Sequence, residues 1–172
     1  MFLNFLKDFI VKKTLKKSFQ NLKNSESTQA IKKIGVLVDA SVFSETESLV
    51  KQLEVNGILA ENIAVIIYSD TFTGLETKKR IAFGAKHLRW DGKISSAEVN
   101  DFINKEFDLL ISYYDTEKTI LLKVTHSSRA LFKVGFSSID KRLNHFMIQT
   151  DGSDFKLFVS ELFKYLKILN KI

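Results

Sequence analysis

The chain contains no cysteine, which excludes disulfides and thiolate metal sites and is compatible with a reducing compartment. It contains no proline either, where about 5% is usual. Its helices must therefore stop at glycine, asparagine or charged residues. No run of about 18 apolar residues occurs, so no spanning helix is expected. The seven glycines never form Gly-x-Gly-x-x-Gly after a strand or a phosphate-binding P-loop. Gly-x-Ser-x-Gly and His-Glu-x-x-His are missing as well. These absences count against dinucleotide-binding, nucleotide-hydrolysing, serine-hydrolase and zinc-protease chemistry. Arginine is scarce: only Arg80, Arg89, Arg129 and Arg142 accompany the lysines among 26 basic residues. Base readout and phosphate forks favour the planar guanidinium, so specific nucleic-acid recognition is not expected.

What is present fits one soluble globular domain with an extension. A length of 172 residues supports a substantial core, and 45% apolar with 27% charged residues is ordinary globular composition. The formal net charge is +6. Net charge bears on solubility and nonspecific association more than on fold.

Residues 31–172 read as alternating strands and helices. Ile34–Val38 and Asn62–Tyr68 are buried strands by their β-branched runs. Ser44 and Glu47 form a capping box for a helix carrying Leu49, Val50 and Leu53 and ending near Asn56-Gly57. Ile81–Phe83 is a short edge strand. Ser95 and Glu98 open another helix, with Val99, Phe102 and Ile103. The centre of the chain is Phe107–Tyr113, a helix capped by Asp115 or Thr116 with Ile120, Leu121, Leu122 and Val124 inward, and the strand Ala130–Phe136. His145–Gln149 is the last strand. The closing helix carries Phe155, Phe158, Leu162, Phe163, Leu166 and Leu169 at core-facing spacing. This order predicts a three-layer, Rossmann-like α/β domain, its mostly parallel sheet covered by helices on both faces.

Residues 1–30 differ in character. Residues 1–23 read as a basic helix, followed by the polar linker Asn24–Ala30. Phe2, Phe5, Leu6 and Phe9 share one face, and Lys12, Lys13, Lys16 and Lys17 continue its line. Val11, Leu15, Phe19 and Leu22 form a second stripe well round the helix. Six lysines against Asp8 give residues 1–23 a charge of +5. The pattern lacks a cleavage site and is not a secretory signal. Three roles fit it: packing on the domain, insertion of the Phe tip at an anionic membrane surface, or insertion into a groove of a protein partner.

One constellation in the domain carries possible chemistry. Asp39, Asp70 and Asp115 each fall at the carboxyl end of a strand, where open α/β sheets bind ligands. Tyr113 and Tyr114 precede Asp115 and would line such a pocket. Helix capping and turn formation explain the same carboxylates without function. His87, His126 and His145 lack metal-ligand spacing, and a cationic His126 would suit a helix carboxyl end. The segment Lys86–Lys93 sets Trp90 among basic residues, fit for covering a core edge or stacking on a base. No catalytic residue, metal or cofactor is assigned.

The stretches AIKKIGVLVD, FGAKHLRWDGKI, EFDLLISYY, ALFKVGFS and FKLFVSELFKYLKILNK together resemble a family of small Bacteroidota proteins of unknown function, over nearly the whole chain. Members also begin with a basic helix. The resemblance implies a cytoplasmic protein and carries no functional residues across. A shorter likeness, over Phe107–Tyr113 and Lys133–Phe136, links the chain to the amino-terminal half of heptosyltransferase-like glycosyltransferases. It lacks a catalytic motif and the second domain, and implies fold alone.

The expected function is a non-catalytic cytoplasmic binding or adaptor protein, at most peripheral to the inner membrane. It would use residues 1–23 to reach an anionic membrane surface or a protein partner. The alternatives are a small enzyme or ligand-binding protein with its site at the strand ends, and nonspecific RNA association through lysine.

Overall fold

A computed structural model describes residues 30–71 and 80–172. The expectations for Phe2, Phe5, Leu6, Phe9, Lys12, Lys13, Lys16 and Lys17 lie outside the described residues.

The described elements run β1 (Ile34–Asp39), α1 (Thr46–Val55), β2 (Ile63–Tyr68), β3 (Ile81–Phe83), α2 (Ala97–Asn104), β4 (Leu109–Tyr113), α3 (Thr119–Ser127), β5 (Phe132–Phe136), β6 (Phe146–Ile148) and α4 (Phe155–Ile168). The six strands form one sheet in the order β3-β2-β1-β4-β5-β6. All five pairings are parallel. This is the strand order of doubly wound dinucleotide-binding sheets, and the α/β, Rossmann-like class follows from it.

Side-chain alternation shows that helices cover both faces. On β4, Ser112 bonds Thr125 of α3, whereas the Tyr113 ring meets Phe158 of α4 at 5.1 Å. Neighbouring strand residues point to opposite faces, so α3 and α4 lie on opposite sides of the sheet. Gly35 pairs with Leu110, two residues from Ser112, and therefore faces the α3 side. There it lies under Phe102 of α2 and Phe107. A Cβ at Gly35 would stand 2.8 Å from the Phe107 ring, so a hydrogen is all that fits. Helix α1 packs beside α4 on the other face.

β1 and β4 are fully buried, as continuous apolar runs in a central parallel sheet should be. β2 is less so. Ile63, Ala64 and Ile67 are partly exposed, because its outer neighbour β3 has only three residues.

Several expected boundaries move, each for a local reason. Phe107 is core but precedes β4, since Asp108 turns to accept hydrogen bonds from Lys32 N and Lys33 N at 2.9 and 2.8 Å. β5 starts at Phe132 rather than Ala130, and β6 omits His145 and Gln149. Ser44 does not cap α1. The helix starts at Thr46, with Glu45 at the cap and no side-chain bond. Burial of Phe43 against the Tyr113 ring, 4.6 Å between centroids, sets the phase of that loop. Ser96, not Ser95, caps α2 by accepting from Val99 N, because Ser95 is bonded to His87 O. Leu169 lies past the end of α4 and is exposed. Asn56 and Gly57 do end α1, Gly57 taking the left-handed φ of 97° that glycine tolerates.

Candidate functional site

The strand order reverses between β1 and β4, and the crevice at their carboxyl ends is where such sheets take ligands. Parallel register brings Asp39 to the end of β1 beside Tyr68 at the end of β2. Asp39 is wholly buried. Its Oδ1 accepts from Ser41 N at 3.0 Å. Its Oδ2 lies 2.7 Å from Lys118 Nζ, a close ion pair off the ideal hydrogen-bond direction. The same Lys118 Nζ donates to Asp70 Oδ2 at 2.7 Å. Asp70 Oδ1 accepts from the Tyr68 hydroxyl at 2.7 Å, and its backbone N–H donates to Ser41 Oγ. Lys118 also sits 4.9 Å above the centre of the Tyr68 ring. One cation therefore joins the ends of β1 and β2 to the start of α3.

The charges respond accordingly. The Lys118 and Tyr68 bonds hold Asp70 below its ordinary pKa. Burial works against the Lys118 charge, but Asp39 and Asp70 outweigh it and raise the ammonium's pKa. Burial first, then the Asp70 bond and the nearby carboxylates, push the Tyr68 phenol up. The cluster carries two carboxylates and one ammonium, with Asp70 its exposed member.

Of the expected carboxylates, the structure brings Asp39 and Asp70 together and leaves Asp115 apart. Asp115 accepts from Thr116 Oγ1 and lies against Gly152, where a Cβ would stand 2.5 Å from Asp115 Oδ2. Tyr113 is buried, and its hydroxyl donates to Gly152 O at 2.8 Å. Burial, then Asp154, Asp115, Asp151 and Glu45, raise its pKa. Tyr114 turns to the opposite face and shares a hydrogen bond with Thr125 Oγ1. Among the described residues, no cluster of three or more His, Cys, Asp or Glu could hold a metal ion.

Neither Asp115 nor Thr116 caps α3. The loop continues to Lys118, which occupies the cap position without a side-chain cap bond. A cation there opposes the helix dipole. The two aspartates supply the compensation, which is why the residue was not legible as a site member. Its one sequence signal is that misplacement: a lysine where an acidic or hydroxyl residue belongs.

Other expectations resolve locally. His126 lies at the helix end, but burial, then Lys133 and Lys123, lower its pKa and so work against the cation. His87 Nδ1 accepts from Gly84 N, and His145 Nδ1 from Lys133 N. Trp90 is 65% exposed and covers no core edge; Leu88 and Ile94 fill that place.

The opposite, amino edge of the sheet is basic at its centre. Lys32, Lys33 and Arg129 line a cleft of about 390 Å³ there, with Glu106 and Asp108 opposing. Lys133 is buried nearby and donates to Thr125 O and His126 O at the carboxyl end of α3. Burial lowers its pKa to about 8.

These features define a doubly wound, all-parallel α/β protein with a charge cluster, built on the buried Asp39, at its switch point. The chain belongs to a family of unknown function, DUF6913, whose model matches residues 7–169. The matched span takes in both most of the basic segment and the domain. No curated protein and no solved structure matches the chain significantly. No helix among the described residues is long and apolar enough to cross a membrane.

Proposed function

We propose that the protein is a non-catalytic adaptor that seats the amino edge of its sheet, together with residues 1–23, on an anionic membrane surface. The observation that carries this reading is a tie between Ile31, ahead of β1, and Lys171, beyond α4. Ile31 N donates to Lys171 O at 2.8 Å, which holds Ile31 at the amino edge, next to Lys32 and Lys33. Carboxylates gather at the other edge, in the loops after the strands: Glu45, Asp70, Asp115, Glu117, Asp151 and Asp154. A molecule so polarised turns its basic edge to an anionic surface and its acidic edge away. Each lysine near such a surface contributes about 1 kcal/mol, and the Phe tip adds apolar insertion.

Co-sedimentation of the full chain with vesicles tests this. Vesicles containing phosphatidylserine should pellet the protein, phosphatidylcholine alone should not, and added salt should weaken binding. Replacing Lys12, Lys13, Lys16 and Lys17 by Glu should abolish pelleting. The variant Lys32→Glu/Lys33→Glu should weaken it. No pelleting by anionic vesicles would end this reading. Retention on homopolymer RNA in its place would favour nonspecific RNA association.

A second reading is favoured by the Asp39–Lys118–Asp70 cluster at the switch point: a ligand-binding protein with its site there. The acidic edge repels phosphates, so amines and polyols are better suited than nucleotides. Thermal shift of the full chain against those classes tests it, with Asp70→Asn as the variant that should lose any stabilisation.

A further inference from the structure

Three of the four arginines have a carboxylate partner: Arg80 has Glu47, Arg89 has Asp91 and Arg142 has Asp140. Arg129 is exposed and has no carboxylate within 4.0 Å among the described residues. It lines the cleft of the amino edge with Lys32 and Lys33, which are exposed and equally without an ion pair there. The cleft spans three neighbouring strands. Lys32 and Lys33 precede β1, Asp108 precedes β4, and Arg129 and Leu131 precede β5. Tertiary hydrogen bonds hold these backbones in place. Asp108 N donates to Lys33 O at 2.9 Å, and Asp108 Oδ2 accepts from Lys32 N and Lys33 N. Leu131 N donates to Phe107 O and Arg129 N to Ile103 O, both at 3.0 Å. Three cations are thus carried on a frame that is fixed before any ligand arrives.

We propose that this cleft binds a terminal phosphate group, that of a phosphomonoester lipid in the membrane that the amino edge faces. The lipid as source rests on the membrane reading above, whereas the phosphate chemistry rests on the cleft alone. A phosphomonoester carries a charge of about −1.5 to −2 at pH 7 and three strong acceptor oxygens. The guanidinium fork of Arg129 suits two of them in parallel bonds, and a lysine ammonium suits the third. A phosphodiester headgroup has one charge and two such oxygens, and satisfies less of the cleft. Asp108 is the nearer opposing carboxylate, and its Oδ2 is already turned to two backbone N–H groups. With Glu106 it limits the cleft to three cations against two carboxylates, which suits one compact group better than a polyanion such as RNA. Leu131 lines the cleft and is 38% exposed, an apolar contact for the glycerol and acyl part that adjoins a lipid phosphate.

One effect opposes the site and is met locally. The carboxyl ends of α2 and α3 point to the same edge, and their dipoles disfavour an anion. Arg129 N donates to Ile103 O, and Lys133 Nζ donates to Thr125 O and His126 O. Carbonyls in the last turn of both helices are therefore covered by donors of this same edge.

The test compares vesicles containing phosphatidic acid with vesicles containing phosphatidylserine, matched in surface charge, by co-sedimentation of the full chain. Phosphatidic acid should bind about fivefold more tightly or better. Arg129→Gln should cut that binding by about fivefold, and Arg129→Lys, which keeps the charge and loses the fork, by about threefold. The control Lys156→Gln removes an exposed lysine at the start of α4, on the other edge, and should leave the preference unchanged. In solution, glycerol 3-phosphate should raise the thermal midpoint of the parent but not of Arg129→Gln, and the diester glycerophosphocholine should raise neither. Without ligand, the Arg129 variants should unfold at the parent's midpoint, which separates lost binding from a lost fold. Equal binding of the two lipids, or a preference that survives Arg129→Gln, overturns the inference and leaves the membrane reading standing. Stabilisation by glycerol 3-phosphate that depends on Arg129, with no pelleting by either lipid, ends the membrane reading and keeps the phosphate site for a soluble ester. Neither pelleting nor stabilisation overturns both.

Discussion

Replacing Lys118 by Met tests the centre of the candidate site. The substitution keeps much of the side chain's volume and removes the only cation within bonding distance of Asp39 Oδ2 in the described cluster. A surface ion pair would be worth roughly 0–1 kcal/mol. Asp39 is not at the surface: its residue is 0% exposed. Stripping the partner from a buried charge costs about 3–5 kcal/mol. Removing a cation from the amino end of α3 returns about 0.3–1 kcal/mol through the helix dipole. Burial wins, and the net loss is about 2–5 kcal/mol. At roughly 2–4 °C per kcal/mol for a chain of this size, the midpoint falls by roughly 4–20 °C. Urea unfolding at neutral pH measures it, with an unchanged slope showing that the same surface is exposed. Asp39→Asn removes the buried charge, so Lys118→Met/Asp39→Asn should lose less than the two single losses combined. A loss below about 1 kcal/mol for Lys118→Met, or strict additivity in the double variant, would refute the account of the cluster as a buried ion pair.

Three further outcomes follow from the packing and the charges. Gly35→Ala drives a methyl group against the Phe102 and Phe107 rings and should cost about 1–3 kcal/mol in urea unfolding. Tyr113→Phe deletes the hydrogen bond to Gly152 O and should cost about 0.5–1.5 kcal/mol in the same assay, with vesicle binding unchanged. Lys133 has its pKa lowered to about 8 in the folded chain, so between that value and its ordinary one near 10.5 the unfolded chain binds the extra proton. Stability should therefore rise as pH is raised through that window, and Lys133→Met should flatten the rise, as read from unfolding midpoints between about pH 7 and 10.

Much of the fold was legible because the sheet is central and parallel. β1 and β4 are buried on both faces, so they had to be written as continuous apolar runs, Ile34–Val38 and Leu109–Tyr113. The closing helix announced itself by the spacing of Phe155, Phe158, Leu162, Phe163 and Leu166, all of which face the core. Caps were less legible. Ser44, Ser95 and Asp115 all have side chains suited to a helix start, and each is passed over. The choice among adjacent polar residues is made by what lies around them: Phe43 on Tyr113, Ser95 on His87, Lys118 on two aspartates.

By itself, the sequence determined the class: alternating elements, a core of sufficient size, a basic amino-terminal stretch, and no glycine-rich phosphate-binding motif. These are local properties, set by residue type and period. Tertiary structure alone decided which strands became neighbours, and with that which carboxylates met. Asp39 and Asp70 are thirty-one positions apart and Lys118 forty-eight beyond. They touch because β1 and β2 pair in register and α3 begins across the switch point. The cleft at the amino edge is decided in the same way. No single segment encodes it, because it is the space between residues that precede β1, β4 and β5.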